Sequence, residues 1–96
     1  MALNEKQRQF LRGLAHSRKP VVIVGQAGVS DTVVAEIDAA LNHHELIKVR
    51  VNASDREARR AMTEDIAQRT GAELVQSIGH VASFYRSSER ARITLP

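Results

Sequence analysis

The chain has 96 residues, 43% of them hydrophobic, which suffices for one modest core and not for two. The absence of cysteine excludes disulfides and thiolate metal sites, and the longest apolar run, Val21–Val24, is far too short to cross a membrane. Fourteen Lys and Arg against eleven Asp and Glu give a net charge of +3, which points towards polyanions as partners.

Eleven of the fourteen cations are Arg, whose forked guanidinium matches phosphate geometry in a way the Lys ammonium does not. Four acids (Asp31, Glu36, Asp38 and Glu45) cluster between positions 31 and 45, where there is no Lys or Arg. The remainder carries fourteen cations and seven acids, so the charge is segregated. Polar residues follow Met1-Ala2-Leu3 at once, unlike a signal peptide, and a cytoplasmic monomer is the expectation.

Taken in chain order, Asn4 is a candidate N-cap for a first helix running to His16. Its apolar residues Phe10, Leu11 and Leu14 recur at helical spacing, with Leu3 seven residues before Phe10, and Gly13 is a weak point in it. Pro20 ends helical conformation and opens a strand over Val21–Val24, whose uniform β-branched character suits burial on both faces near the middle of a sheet. Ser30 or Asp31 caps a second helix to about His43, with Val33, Val34, Ile37, Ala40 and Leu41 as its buried stripe. In Leu46–Val51, Ile47, Val49 and Val51 alternate with Lys48 and Arg50, which predicts a strand with one apolar and one basic face.

Ser54 and Glu57 have capping-box spacing for a third helix that buries Ala58, Met62 and Ile66 and stops at Gly71. Glu73–Ile78 and Val81–Arg86 then form a hairpin around Gly79-His80, and the tail Ser87–Pro96 is polar until Ile93 and Leu95. The order α-β-α-β-α-β-β predicts a single compact α/β domain: a four-stranded mixed sheet with packed helices. Its two βαβ units should make parallel neighbours, and the hairpin should add an antiparallel strand.

The chemistry concentrates at Gly25-Gln26-Ala27-Gly28, a turn between an apolar strand and a helix N-terminus, where backbone N–H groups and the helix dipole favour a phosphate. It lacks the Lys-Ser/Thr of a P-loop and the third glycine of a dinucleotide fingerprint. Asp31 would compete with a phosphate there, so the turn is read as a backbone docking element flanked by Arg18 and Lys19. Arg8 and Arg12 on the first helix, Lys48 and Arg50 on the second strand, and Arg56, Arg59 and Arg60 on the third helix complete the candidate RNA-binding set. Adjacent His43 and His44 read as a helix C-terminal cap rather than a metal site, and no metal or other cofactor is expected. Phe84 and Tyr85 should face opposite ways, one in the core and one free to stack on a base. No nucleophile–base arrangement is apparent, so the reading is non-enzymatic.

Lys19-Pro20-Val21-Val22, Gly25–Ser30, Gly79-His80 with Phe84-Tyr85-Arg86, Ile93–Pro96 and above all His43-His44-Glu45-Leu46-Ile47-Lys48-Val49 resemble one family. That family is the CRM domain (chloroplast RNA splicing and ribosome maturation), in its stand-alone bacterial YhbY-type form. The resemblance implies a fold related to the C-terminal domain of bacterial translation initiation factor three. It also implies an RNA-binding factor that associates with rRNA in precursors of the large ribosomal subunit, with ribosomal proteins as further partners. The family's Gly-x-x-Gly loop maps onto Gly25–Gly28, which here carries no charge. A second reading makes the acidic second helix a docking element for a basic partner such as a ribosomal protein. A third, a small-nucleotide or phosphate-binding enzyme, would require a measurable turnover.

Overall fold

The computed structural model describes residues 2–96, and the elements appear in the expected order. They are α1 (Glu5–His16), β1 (Pro20–Val24), α2 (Asp31–His44), β2 (Leu46–Val51), α3 (Arg56–Thr70), β3 (Glu73–Ile78) and β4 (Val81–Tyr85). Each helix begins on a side-chain cap. Asn4 and Gln7 form a reciprocal capping box for α1, and the Ser30 hydroxyl accepts the Val33 N–H for α2. The cap of α3 is Asp55 and not Ser54: its carboxylate accepts the Ala58 N–H at 2.7 Å. A carboxylate there gains from the helix dipole in a way a hydroxyl does not. Gly71 closes α3 in the left-handed region (φ 72°), and Gly79 (φ 58°) supplies the positive φ that the tight β3–β4 turn requires.

The sheet order is β1-β2-β4-β3, with β1 parallel to β2 and both other pairs antiparallel. The hairpin therefore folds back so that β4 lies between β2 and β3, which are not the parallel neighbours expected. Burial explains the choice: Ala82, Ser83, Phe84 and Tyr85 are all buried, so β4 is the strand fit for a central position. Phe84 and Tyr85 do face opposite ways, but both are in the core and neither is free to stack on a base.

Two apolar clusters sandwich the sheet. On one face, α2 and α3 pack Ile37, Leu41 and Ile66 onto Val22, Val24, Ile47, Val49, Val51 and Phe84. On the other, α1 packs Leu11 and Ala15 onto Leu46, Val75 and Tyr85, joined by Leu3 and, from the tail, Ile93 and Leu95. Of the apolar residues at helical spacing in α1, Leu11 is buried while Phe10 is exposed.

The largest departure concerns β1. It is an edge strand whose Val22 and Val24 are buried, while Val21 and Ile23 are 50% and 63% exposed. The reason is coverage: α1 lies across β2, β3 and β4, leaving the β1 margin of its face open.

Glu45 fastens the tail. It is fully buried, and its carboxylate accepts from the Ser88 N–H (2.7 Å), the Ser88 hydroxyl (2.6 Å) and the Ile93 N–H (2.7 Å). Burial alone would raise its pKa, but the Ser88 hydroxyl and the Ser88, Ile93 and Arg92 amides outweigh burial and hold it below its ordinary value. Glu45 also caps α2 with φ 65°, a backbone conformation that a non-glycine residue adopts at a cost.

Candidate nucleic-acid interface

The arginines and lysines divide by partner. Arg8, Arg12, Arg60, Arg69 and Arg86 are ion-paired to Glu73, Glu5, Glu64, Asp31 and Asp38 respectively. Among the described residues, no acid pairs with Arg18, Lys19, Lys48, Arg50, Arg56, Arg59 or Arg92. A cation left without an internal acid keeps its charge available to an external anion.

The same pairing dissolves the acidic patch. Asp31 is held by Arg69 at 2.6 Å, Asp38 by Arg86 at 2.7 Å, and Glu45 holds the tail, which leaves Glu36 as the one acid of the four without an internal role. Arg86 also donates to the carbonyls of Thr70 and Asp38 and to the Asn42 side chain, so it welds α2, α3 and β4 together.

The Gly25–Gly28 turn leaves β1 and is closed by the Gly28 N–H donating to the Gly25 carbonyl at 3.1 Å. Gly28 has φ 86°, so the backbone itself demands glycine there. Gly25 does not: its φ is outside the left-handed region, and a Cβ would meet nothing within 4 Å. Neither conformation nor packing within the fold explains why Gly25 lacks a side chain. Arg69 partly offsets the objection raised by Asp31: it pairs with that exposed carboxylate and anchors the loop by donating to the Val29 carbonyl at 2.8 Å.

The candidate residues do not form one patch. At the start of β1, Arg18 and Lys19 line a groove of about 420 Å³ with His43, His44 and Arg92. The His43 and His44 rings meet edge to face, 4.5 Å between centroids. Partial desolvation, then the charges of His43, Arg18 and Arg92, hold the His44 pKa below its ordinary value. Among the described residues, no cluster of three or more His, Asp or Glu has the makings of a metal site.

At the other end of β1, about 16 Å away for a five-residue strand, the Gly-x-x-Gly turn meets the α3 entry. Gln26 shares a cleft with Ala53, Ser54 and Ala58. Beyond it, Arg56, Arg59 and Arg60 line a second groove, of about 450 Å³, closed by Ser77 and Gly79 of the hairpin. Lys48 and Arg50 stand on the open sheet face between these ends, on the side that α1 covers only in part. Arg8 sits apart: its guanidinium clamps α1 to β3 through Glu73 and the Leu74 carbonyl.

Arg92, His43 and His44 are the groove residues that residue-by-residue reasoning missed. The signal for the histidines was present in the His-His-Glu-Leu-Ile-Lys-Val segment. None existed for Arg92, which the tail brings back by way of Glu45.

The model of the CRS1 / YhbY (CRM) domain matches residues 3–86, which includes both ends of β1 and the Gly-x-x-Gly turn. The chain belongs to the CRM domain family. This CRM domain is 52% identical over 94 residues to a Haemophilus influenzae protein named "RNA-binding protein", covering 98% of this chain and 95% of that one. It is 38% identical over 95 residues to the Bacillus subtilis protein YqeI, named "Probable RNA-binding protein", covering 98% and 99% of the two chains. The solution structure of the Staphylococcus aureus protein SAV1595 superposes with a TM-score of 0.86 at 36% identity, over 99% of this chain and 100% of that one. The family match ends at Arg86, so Arg92 of the basic groove lies outside the matched segment of this CRM domain. None of its helices among the described residues is long and apolar enough to cross a membrane.

Proposed function

We propose that this CRM domain is a non-enzymatic RNA-binding protein that engages structured rRNA in precursors of the large ribosomal subunit and assists their assembly. The observation that carries the reading is the distribution of unpaired cations. Seven cations that the fold leaves without acids among the described residues, Arg18, Lys19, Lys48, Arg50, Arg56, Arg59 and Arg92, lie towards the two ends of the sheet and on the face between them, with the loop whose Gly25 has no structural need to be glycine at one of those ends. Relatives named for RNA binding and the family match support the same reading. Phosphates would be held by Arg18, Lys19 and Arg92 at one end and by Arg56 and Arg59 at the other. The Gly25–Gly28 backbone would dock against the ribose-phosphate chain between them. Such contacts read shape and charge more than sequence, as suits a folded RNA.

The alternative of an acidic α2 docking a basic partner is weakened by the engagement of Asp31, Asp38 and Glu45 within the fold.

Gly25→Asp tests the loop. A Cβ at this position meets nothing within 4 Å, so the melting temperature should stay within about 3 °C of wild type. RNA affinity should fall about tenfold from one carboxylate facing the phosphates. Unchanged affinity in a filter-binding assay would remove the loop from the interface.

A further inference from the structure

Three of the four large apolar side chains exposed among the described residues, Val21, Ile23 and Ile78, lie on the sheet face that α1 covers in part. Strand register orders this face into two rows across all four strands: Gln76, Ser83, Lys48 and Pro20, then Ile78, Val81, Arg50 and Ile23. Over these rows α1 overhangs with Arg12, Gly13 and His16, and the space beneath is a cavity of about 540 Å³. Its floor is apolar at Pro20, Ile78 and Val81, with the polar groups of Gln76 and Ser83 set among them. No carboxylate lines it, and Lys48 at its centre has no acidic partner among the described residues.

Gly13 forms part of the α1 wall. Glycine inside a helix costs about 1 kcal/mol relative to alanine. Its φ is outside the left-handed region, and a Cβ would meet nothing within 4 Å, so neither conformation nor internal packing requires glycine. What the missing side chain does provide is a wider mouth to the cavity.

We propose that this cavity receives one unstacked nucleotide of the bound RNA, an inference that rests on the RNA-binding reading above. The flat face of the base lies against Ile78 and Val81, and Gln76 and Ser83 offer hydrogen bonds to its edge. Lys48 takes the phosphate, with Arg12 and His16 at the rim. Charge selects this occupant: an apolar floor free of acids, with the unpaired Lys48 at its centre, fits a group that is flat, uncharged and attached to an anion. A second copy of this chain seated face to face would set its own Lys48 and Arg50 against these and be repelled. A base within a duplex cannot enter, because its faces are occupied by stacking.

Gly13→Leu narrows the cavity from the helix side while raising helix propensity. Binding of the full chain to a labelled single-stranded RNA and to a blunt duplex of the same strand, at one salt concentration, separates the possibilities. The variant should bind the single strand about tenfold more weakly and the duplex within about twofold of wild type. Ile78→Glu, at a site 66% exposed, should give the same pattern and serves if Gly13→Leu melts early. Equal losses on both RNAs, or no loss on either, would overturn the assignment of the cavity. A wild-type chain that binds neither RNA would instead overturn the RNA-binding reading itself.

Discussion

The triple substitution Arg18→Gln, Lys19→Gln and Arg92→Gln is expected to weaken RNA binding roughly 10- to 100-fold at physiological salt. These residues come from the α1–β1 connection and from the tail, yet they line one groove beside His43 and His44. None is paired to an acid among the described residues, so neutralising them strands no buried carboxylate. The one internal bond at risk is from the Arg18 guanidinium to the Leu46 carbonyl, a loss of about 1 kcal/mol. Affinity should therefore fall far more than stability does. Isothermal titration of a fixed rRNA fragment beside a melting curve checks both, and a variant that binds as wild type does would take this groove out of the interface.

Glu45→Ala is expected to destabilise the fold by about 3 kcal/mol, because three donors lose a charged acceptor and the tail loses its anchor. For a chain of this size that lowers the melting temperature by about 15 °C. Ile93 and Leu95 would leave the apolar cluster beneath α1, exposing part of Leu46 and Tyr85. Glu45→Gly loses the same carboxylate but relieves the backbone at φ 65°, so it should be about 1 kcal/mol more stable than Glu45→Ala. The pH dependence has a definite sign. Since the carboxyl pKa is lower folded than unfolded, its contribution is present above the ordinary value of about 4.5 and is lost as pH falls through the folded value. The gap in melting temperature between wild type and Glu45→Ala should close on acidification. A gap that stays constant to low pH would mean that the carboxylate charge is not what holds the tail.

Local signals settled the elements, and long-range ones decided where they lie. Pro20, Gly71, Gly79 and the Asn4 cap each act within a few residues, and all are legible as punctuation. The run Val21–Val24 looks the same whether a strand is covered on both faces or one, because coverage depends on where α1 lies. The cap of α3 went to Asp55 through a choice between adjacent polar residues that spacing alone does not decide.

The candidate site shows the same division. Composition gives the cations but not their partners. Arg69 reaches Asp31 across 38 positions, Ser88 reaches Glu45 across 43 and Arg86 reaches Asp38 across 48. Three of the four acids that read as a patch are thus internal fastenings, and part of what reads as a general basic excess resolves into one groove beside β1 and another between α3 and β3. Within Gly25–Gly28 the two glycines differ: Gly28 serves the backbone at φ 86°, while Gly25 does not.

The proposal that unpaired cations hold RNA is tested most directly by the salt dependence of binding. The affinity of the wild-type chain for an rRNA fragment, measured across a range of salt concentrations, should fall steeply and linearly on a log–log plot. Each phosphate contact contributes about −0.7 to −0.9 to the slope, so the Arg18, Lys19 and Arg92 triple variant should be shallower by about two. A flat plot for the wild-type chain, or one whose slope the triple variant leaves unchanged, would contradict it.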